Sequence, residues 1–168
     1  LYAAQQQIPE TLPRNPGDVT VPEGWRWQRV VAMGDRISTH GETFGADADF
    51  LAIFPLRGGR LLLWVNHEFP PSDFSADGRF ARILGRVPTP DDMLACMGAS
   101  VVVLVPDDQG GYRLDPDAPE AWRLSGLSPA TQVTGPAREV LGETVRGTLS
   151  NCGGGLTPWG TVFTCEEN

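Results

Sequence analysis

This chain lacks most of the signatures by which a function is read directly from sequence. It has no apolar run approaching the ~20 residues that a helix needs to cross a bilayer. No charged-then-apolar leader opens it, and Leu1–Gln7 would at most follow one that had been removed. Basic residues are few, with 13 Lys+Arg against 21 Asp+Glu and a formal net charge of −8. That balance argues against unaided binding to nucleic acid or an anionic membrane, both of which need basic patches. It leaves a phosphate-containing substrate open, because bound multivalent cations reverse the field locally. The phosphate-cradling patterns GxGxxG and GxxxxGK[ST] and the nucleophile pattern GxSxG are all missing. His67-Glu68 begins like a zinc-protease motif, but Pro71 stands where the second histidine belongs. The three cysteines, Cys96, Cys152 and Cys165, form no CxxC pair, so composition leaves the redox compartment undecided. A sustained 3.6-residue apolar period is also missing.

What is present is punctuation. Twenty Gly and 15 Pro separate short apolar runs, a pattern of β architecture rather than of helices. Residues 1–24 read as an extended, proline-broken lead-in and residues 25–168 as part of a single β domain. A start at Leu1 and an end inside a strand-like run lead us to expect an internal piece of a longer protein. Trp25–Val31 alternates with period two and predicts a strand. Asp49–Leu56 and Arg60–Asn66, joined by Arg57-Gly58-Gly59, predict a hairpin. Asp91–Met97 predicts a short helix capped by Thr89 or Asp91. Ala99–Val105 predicts a buried strand returning through Tyr112–Leu114. Trp122–Leu124, Val145–Leu149 and Thr161–Thr164 are the remaining strand candidates, and the stretch from 67 to 90 reads mostly as loop. Alternating hairpins and long loops suit successive small sheets, as in a propeller, though a β-sandwich fits the composition equally well.

Two polar clusters carry the chemistry. Asn66-His67-Glu68 stands where an apolar strand ends; it reads either as metal-binding groups or as a turn whose side chains cap the backbone. Cys165-Glu166-Glu167-Asn168 follows a glycine run and a β-prone run. Soft thiolate beside hard carboxylate is a metal-site composition, while a structural cysteine followed by solvated acids is the plainer reading. A Cys152–Cys165 disulfide is open. Asp47 and Asp49 are weaker cation candidates, and Arg36, Arg123 and Arg138 are weaker phosphate candidates.

Taken in order, these segments resemble the PhoX-type alkaline phosphatase family. The resemblance rests on Gly34-Asp35 and the run His40–Ala52 (HGETFGADADFLA), on Leu63–Phe69 (LWVNHEF), on Thr134–Ala137, and on Gly147–Cys152. Most specific is the closing block NCGGG, TPWGT and TCEEN, from Asn151 to Asn168. It implies an all-β fold: an incomplete β-propeller of about two to three blades out of six, with long proline-rich loops and few short helices. It implies a phosphoric monoester hydrolase, exported by the twin-arginine route to the periplasm or beyond and acting on small-molecule phosphate esters. The implied cofactors are an oxo-bridged Fe3+ pair and calcium, whose cations would neutralise and orient the phosphate. By that resemblance Cys165 is an iron thiolate ligand, and Glu166 and Glu68 are carboxylate ligands. Glu167, Asn66 and His67 are further metal-site residues, and Trp159 lines the substrate pocket. The alternative is a non-catalytic calcium-binding propeller module; a lactonase-like propeller hydrolase with a lone calcium fits the carboxylates but gives Cys165 no role.

Overall fold

A computed structural model describes residues 19–68 and 75–167. Nine strands and three short helices are formed among the described residues. They are β1 (Ala48–Pro55), β2 (Leu61–His67), α1 (Arg79–Leu84), α2 (Pro90–Cys96), β3 (Gly98–Pro106), β4 (Tyr112–Leu114), β5 (Trp122–Leu124), β6 (Ala130–Gln132), α3 (Arg138–Leu141), β7 (Thr144–Arg146), β8 (Asn151–Leu156) and β9 (Val162–Glu166).

The principal sheet is antiparallel in the order β1-β2-β3-β4, with β5 also pairing with β3; two separate hairpins, β6-β7 and β8-β9, follow. Strand β3 (GASVVVLVP) is central because its β-branched run is apolar on both faces, and seven consecutive residues from Gly98 are buried. The expected β1–β2 hairpin forms around Arg57-Gly58-Gly59, where Gly58 takes a left-handed conformation (φ 73°) suited to glycine. Its register pairs Leu51 with Val65 and Ile53 with Leu63, so one face carries Leu63, Val65 and His67 and the other Trp64 and Asn66.

The first of these faces is covered by the segment from 34 to 44. No strand is predicted there from the sequence, yet it folds back through Ile37 N–H to Glu42 O (2.9 Å) and Phe44 N–H to Asp35 O (2.9 Å). That closure inserts Ile37 and Phe44 into a core with Leu63, Val65, Val102 and Leu104. The opposite face receives β8, whose Gly154 approaches so closely that a Cβ would meet the Phe50 ring. A glycine is required there by the neighbour, not by the backbone.

Three expectations are corrected. Trp25–Val31 forms no strand: it runs extended beside the sheet, held by side chains such as Gln28 Nε2 donating to Asp107 (3.0 Å), with Trp25 and Trp27 exposed. Its alternation reflects one contacted edge rather than a ladder. The stretch from 67 to 90 contains a helix, α1, seated by the buried Phe80. Strand β8 is formed by the glycine run itself, through pairing with β9. The short helix α2 is as expected, with a reciprocal capping box between Thr89 and Asp92. Residues 1–18 of the N-terminal lead-in lie outside the described residues.

Candidate metal centre

Strand β2 ends in Asn66-His67-Glu68, and antiparallel alternation sends the first two side chains to opposite faces. His67 is fully buried. Its Nδ1 meets Ala46 O at 2.6 Å and its Nε2 meets Ser100 Oγ at 2.8 Å. A carbonyl only accepts, so Nδ1 carries the proton and Nε2 accepts from the serine hydroxyl. Burial, followed by the nearby Arg123 guanidinium, holds the imidazole neutral with its pKa lowered to about 3. Both ring nitrogens are therefore engaged inside the core, and neither faces the strand-end acids.

Asn66 is also fully buried. Its Oδ1 accepts from Trp64 Nε1 at 2.8 Å, and its Nδ2 donates to Cys152 O at 2.7 Å and Gly153 O at 3.1 Å. The amide is thus held on both sides by the fold, its nitrogen by two carbonyls and its oxygen by the indole N–H.

Glu68 differs from both. It lies just past the strand end, half-buried, with its backbone N–H donating to Asp47 O at 3.1 Å. Ligand atoms of Asp49, Glu68 and Cys152 all lie within 4.8 Å of one another, and these are the only three or more such residues so grouped among the described residues. Desolvation and then the Asp49 and Glu167 carboxylates raise the pKa of Glu68. Hydrogen bonding to Asp49 and Glu167, then desolvation, pushes the Cys152 thiol up to about 12. Three acids and a thiol thus converge where β1, β2 and the β8–β9 hairpin meet. That crowding disfavours the anionic forms of Glu68 and Cys152, and a cation would reverse that. Two hard oxygens with one sulfur suit a borderline metal such as iron, so the donor set fits a metal centre. A thiol in it was not expected from an isolated Asn-Cys before glycines; the glycine run was the signal, since it permits the close approach of β8.

The closing cluster divides. The β8–β9 ladder is irregular between Asn151 and Gly154, and this bulge aims Cys152 toward Glu68. Glu167 reaches the same group. Cys165, one alternation before Glu167 and thus on the same face, is an exposed free thiol, as Cys152 is a free one, so no disulfide joins them. Glu166 points the other way: its Oε1 accepts from Thr148 Oγ1 at 2.5 Å and Leu149 N–H at 2.9 Å. Trp159 is 76% exposed in the tight turn between β8 and β9. At ~3.3 Å per strand residue that turn lies on the order of 15 Å from the acid–thiol group, and Trp159 does not join it.

The arginines weighed as phosphate ligands are all engaged. Arg36 pairs with Asp117 and Arg138 with Glu143, while Arg123 is surrounded by backbone carbonyls. Asp47 pairs with Arg79. No helix among the described residues is long and apolar enough to cross a membrane.

Fold and site together define a mainly β protein, built of antiparallel sheets, with an acid-and-thiol metal-type site at a strand end. The family model for alkaline phosphatase PhoX matches residues 6–168, and the chain belongs to that family. The solved structure of Pseudomonas fluorescens PhoX in complex with vanadate, a transition state analogue, is similar with a TM-score of 0.70 and 25% sequence identity. The match covers 87% of this chain and 29% of that one. No curated protein matches.

Proposed function

We propose that this chain supplies part of the metal-dependent site of a phosphoric monoester hydrolase that releases inorganic phosphate from small esters. The observation that carries the reading is the convergence of Glu68, Asp49 and Cys152, with Glu167 beside them, in a chain of the PhoX alkaline phosphatase family. The solved relative binds vanadate, described as a transition state analogue, which supports the same class of reaction here.

In this reading Glu68, Cys165, Glu166 and Glu167 would hold the metals, iron and calcium. Asp49 and Cys152 join them as the geometry suggests, and Glu166 would reach a cation through its second oxygen. When bound, such a cluster supplies the positive field that neutralises phosphate oxygens. The residues of this chain order the acids, keep β8 against the sheet, and exclude water from the Asn66 side of the site. The architecture would be a six-bladed propeller, of which this chain accounts for about two to three blades, with Trp159 facing the substrate from a neighbouring surface. Export to the periplasm or beyond belongs to the same reading.

The test is made on the full-length protein. Metal analysis should find iron and calcium, and a chromogenic aryl phosphate monoester should be hydrolysed. Cys165→Ser and Glu68→Gln should each abolish turnover and reduce bound iron. Calcium alone, with both variants indistinguishable from wild type, would instead establish a non-catalytic calcium-binding module.

A further inference from the structure

The Asn66 amide ties β2 to β8, which packs on that face of the sheet. It belongs to β2, two residues before Glu68, and it donates to the carbonyls of Cys152 and Gly153 on β8. Those two carbonyls lie in the stretch where the β8–β9 ladder is broken, between Asn151 and Gly154. A bulge removes backbone groups from the ladder, and the carbonyls it frees can take a side-chain donor instead. Asn66 Nδ2 is that donor.

The orientation of the amide follows from chemistry. Its oxygen faces Trp64 Nε1, which only donates, and its nitrogen faces two carbonyls, which only accept. A rotated amide would oppose like groups at all three contacts. Trp64 is itself fixed, edge-on against Trp122 of β5 with centroids 5.6 Å apart. A continuous chain of contacts thus runs from β5 through Trp64 and Asn66 to the bulge that carries Cys152.

We infer that Asn66 is a positioning residue that sets the Cys152 bulge in register with Glu68, and that it is not itself a ligand. The inference rests on the metal-site reading above but concerns a different property of it. Ligand and latch respond oppositely to one substitution. Asn66→Asp presents a carboxylate, which would improve a ligand; as a latch it places an acceptor against two carbonyls and pushes the bulge away.

The experiment uses the full-length protein with Cd2+ as probe, reading affinity by chelator competition and sulfur engagement by the thiolate-to-metal charge-transfer band. Asn66→Asp should weaken binding about 10- to 100-fold, the range for residues that orient ligands, and should diminish the band. Trp64→Phe, which removes the indole donor together with part of the ring, should act in the same direction and less. Asn66→Asp binding Cd2+ as tightly as wild type, or more tightly, overturns the inference. A second measurement is independent of metal: in metal-free protein, alkylation of Cys152 read by mass spectrometry should be faster in Asn66→Asp and in Trp64→Phe. Unchanged alkylation in both variants overturns the latch. A wild-type protein that binds no metal while its variants show faster alkylation overturns the metal-site reading and leaves the latch supported. Should Asn66→Asp fail to fold, Trp64→Phe carries both measurements.

Discussion

The Nε2 of His67 accepts the Ser100 hydroxyl at 2.8 Å, inside a core where neither residue is exposed. The pair joins β2 to β3, and its geometry requires a neutral imidazole. Folding lowers the His67 pKa from 6.5 to about 3. Its contribution to stability is therefore full above pH 6.5 and is lost as the pH falls from there toward about 3. The slope approaches about 1.4 kcal/mol per pH unit within that window. Urea unfolding at several pH values should show this decline, and His67→Gln should be less stable at pH 7 with the decline between pH 6.5 and about 4.5 removed.

Arg123 holds the end of α2 against the sheet. Its guanidinium donates to Ala99 O (2.7 Å), Cys96 O (3.0 Å), Met97 O (2.6 Å) and Ala95 O (3.1 Å), and also to Leu124 O. Burial lowers its pKa to about 10, so it stays charged at neutral pH. Arg123→Met should cost at least about 3 kcal/mol, because several carbonyls lose their donor at once. Arg123→Lys should recover little, since one ammonium cannot reproduce the planar fork. Thermal unfolding measures both.

Gly154 sets the distance between β8 and β1. Gly154→Ala would drive a methyl group into the Phe50 ring, with an expected loss of about 1–3 kcal/mol. Phe50→Leu, which removes the ring, should partly rescue it in a double-mutant comparison by denaturant titration.

Two neighbouring glutamates should respond differently. Glu68 stands among acids and a thiol, whereas Glu166 accepts hydrogen bonds from Thr148 and Leu149. In the full-length protein, Glu68→Gln should lower bound metal with little change in stability. Glu166→Gln should cost about 1 kcal/mol of stability as well, since it weakens the tie between β9 and the segment entering β8. Metal content and melting temperature, measured on the same samples, separate the two effects.

Much of the fold was legible because it is local. The β1–β2 hairpin announces itself by two apolar runs around a glycine turn, and α2 by a Thr-x-x-Asp cap. The misread segments have a common cause. Trp25–Val31 alternates without a ladder partner, while β8 is made of glycines and acquires its strand geometry only from β9. The site was legible in kind: carboxylates at one strand end and a thiol with acids at another. Its membership was not, since His67 and Asn66 share a tripeptide with Glu68 yet have their polar atoms engaged within the fold.

The sequence by itself determined the element pattern, the acidic character and the two clusters of metal-type donors, since each depends on residues close together in the chain. Tertiary structure alone decided which of those donors meet. The hydrogen bond from Asn66 to Cys152 spans 86 residues, and it depends on strand register, a bulge and the fit of one glycine against Phe50. A one-residue change in register would turn the alternating side chains to the opposite face. No local propensity encodes that choice; the packing of the hairpin on the sheet makes it.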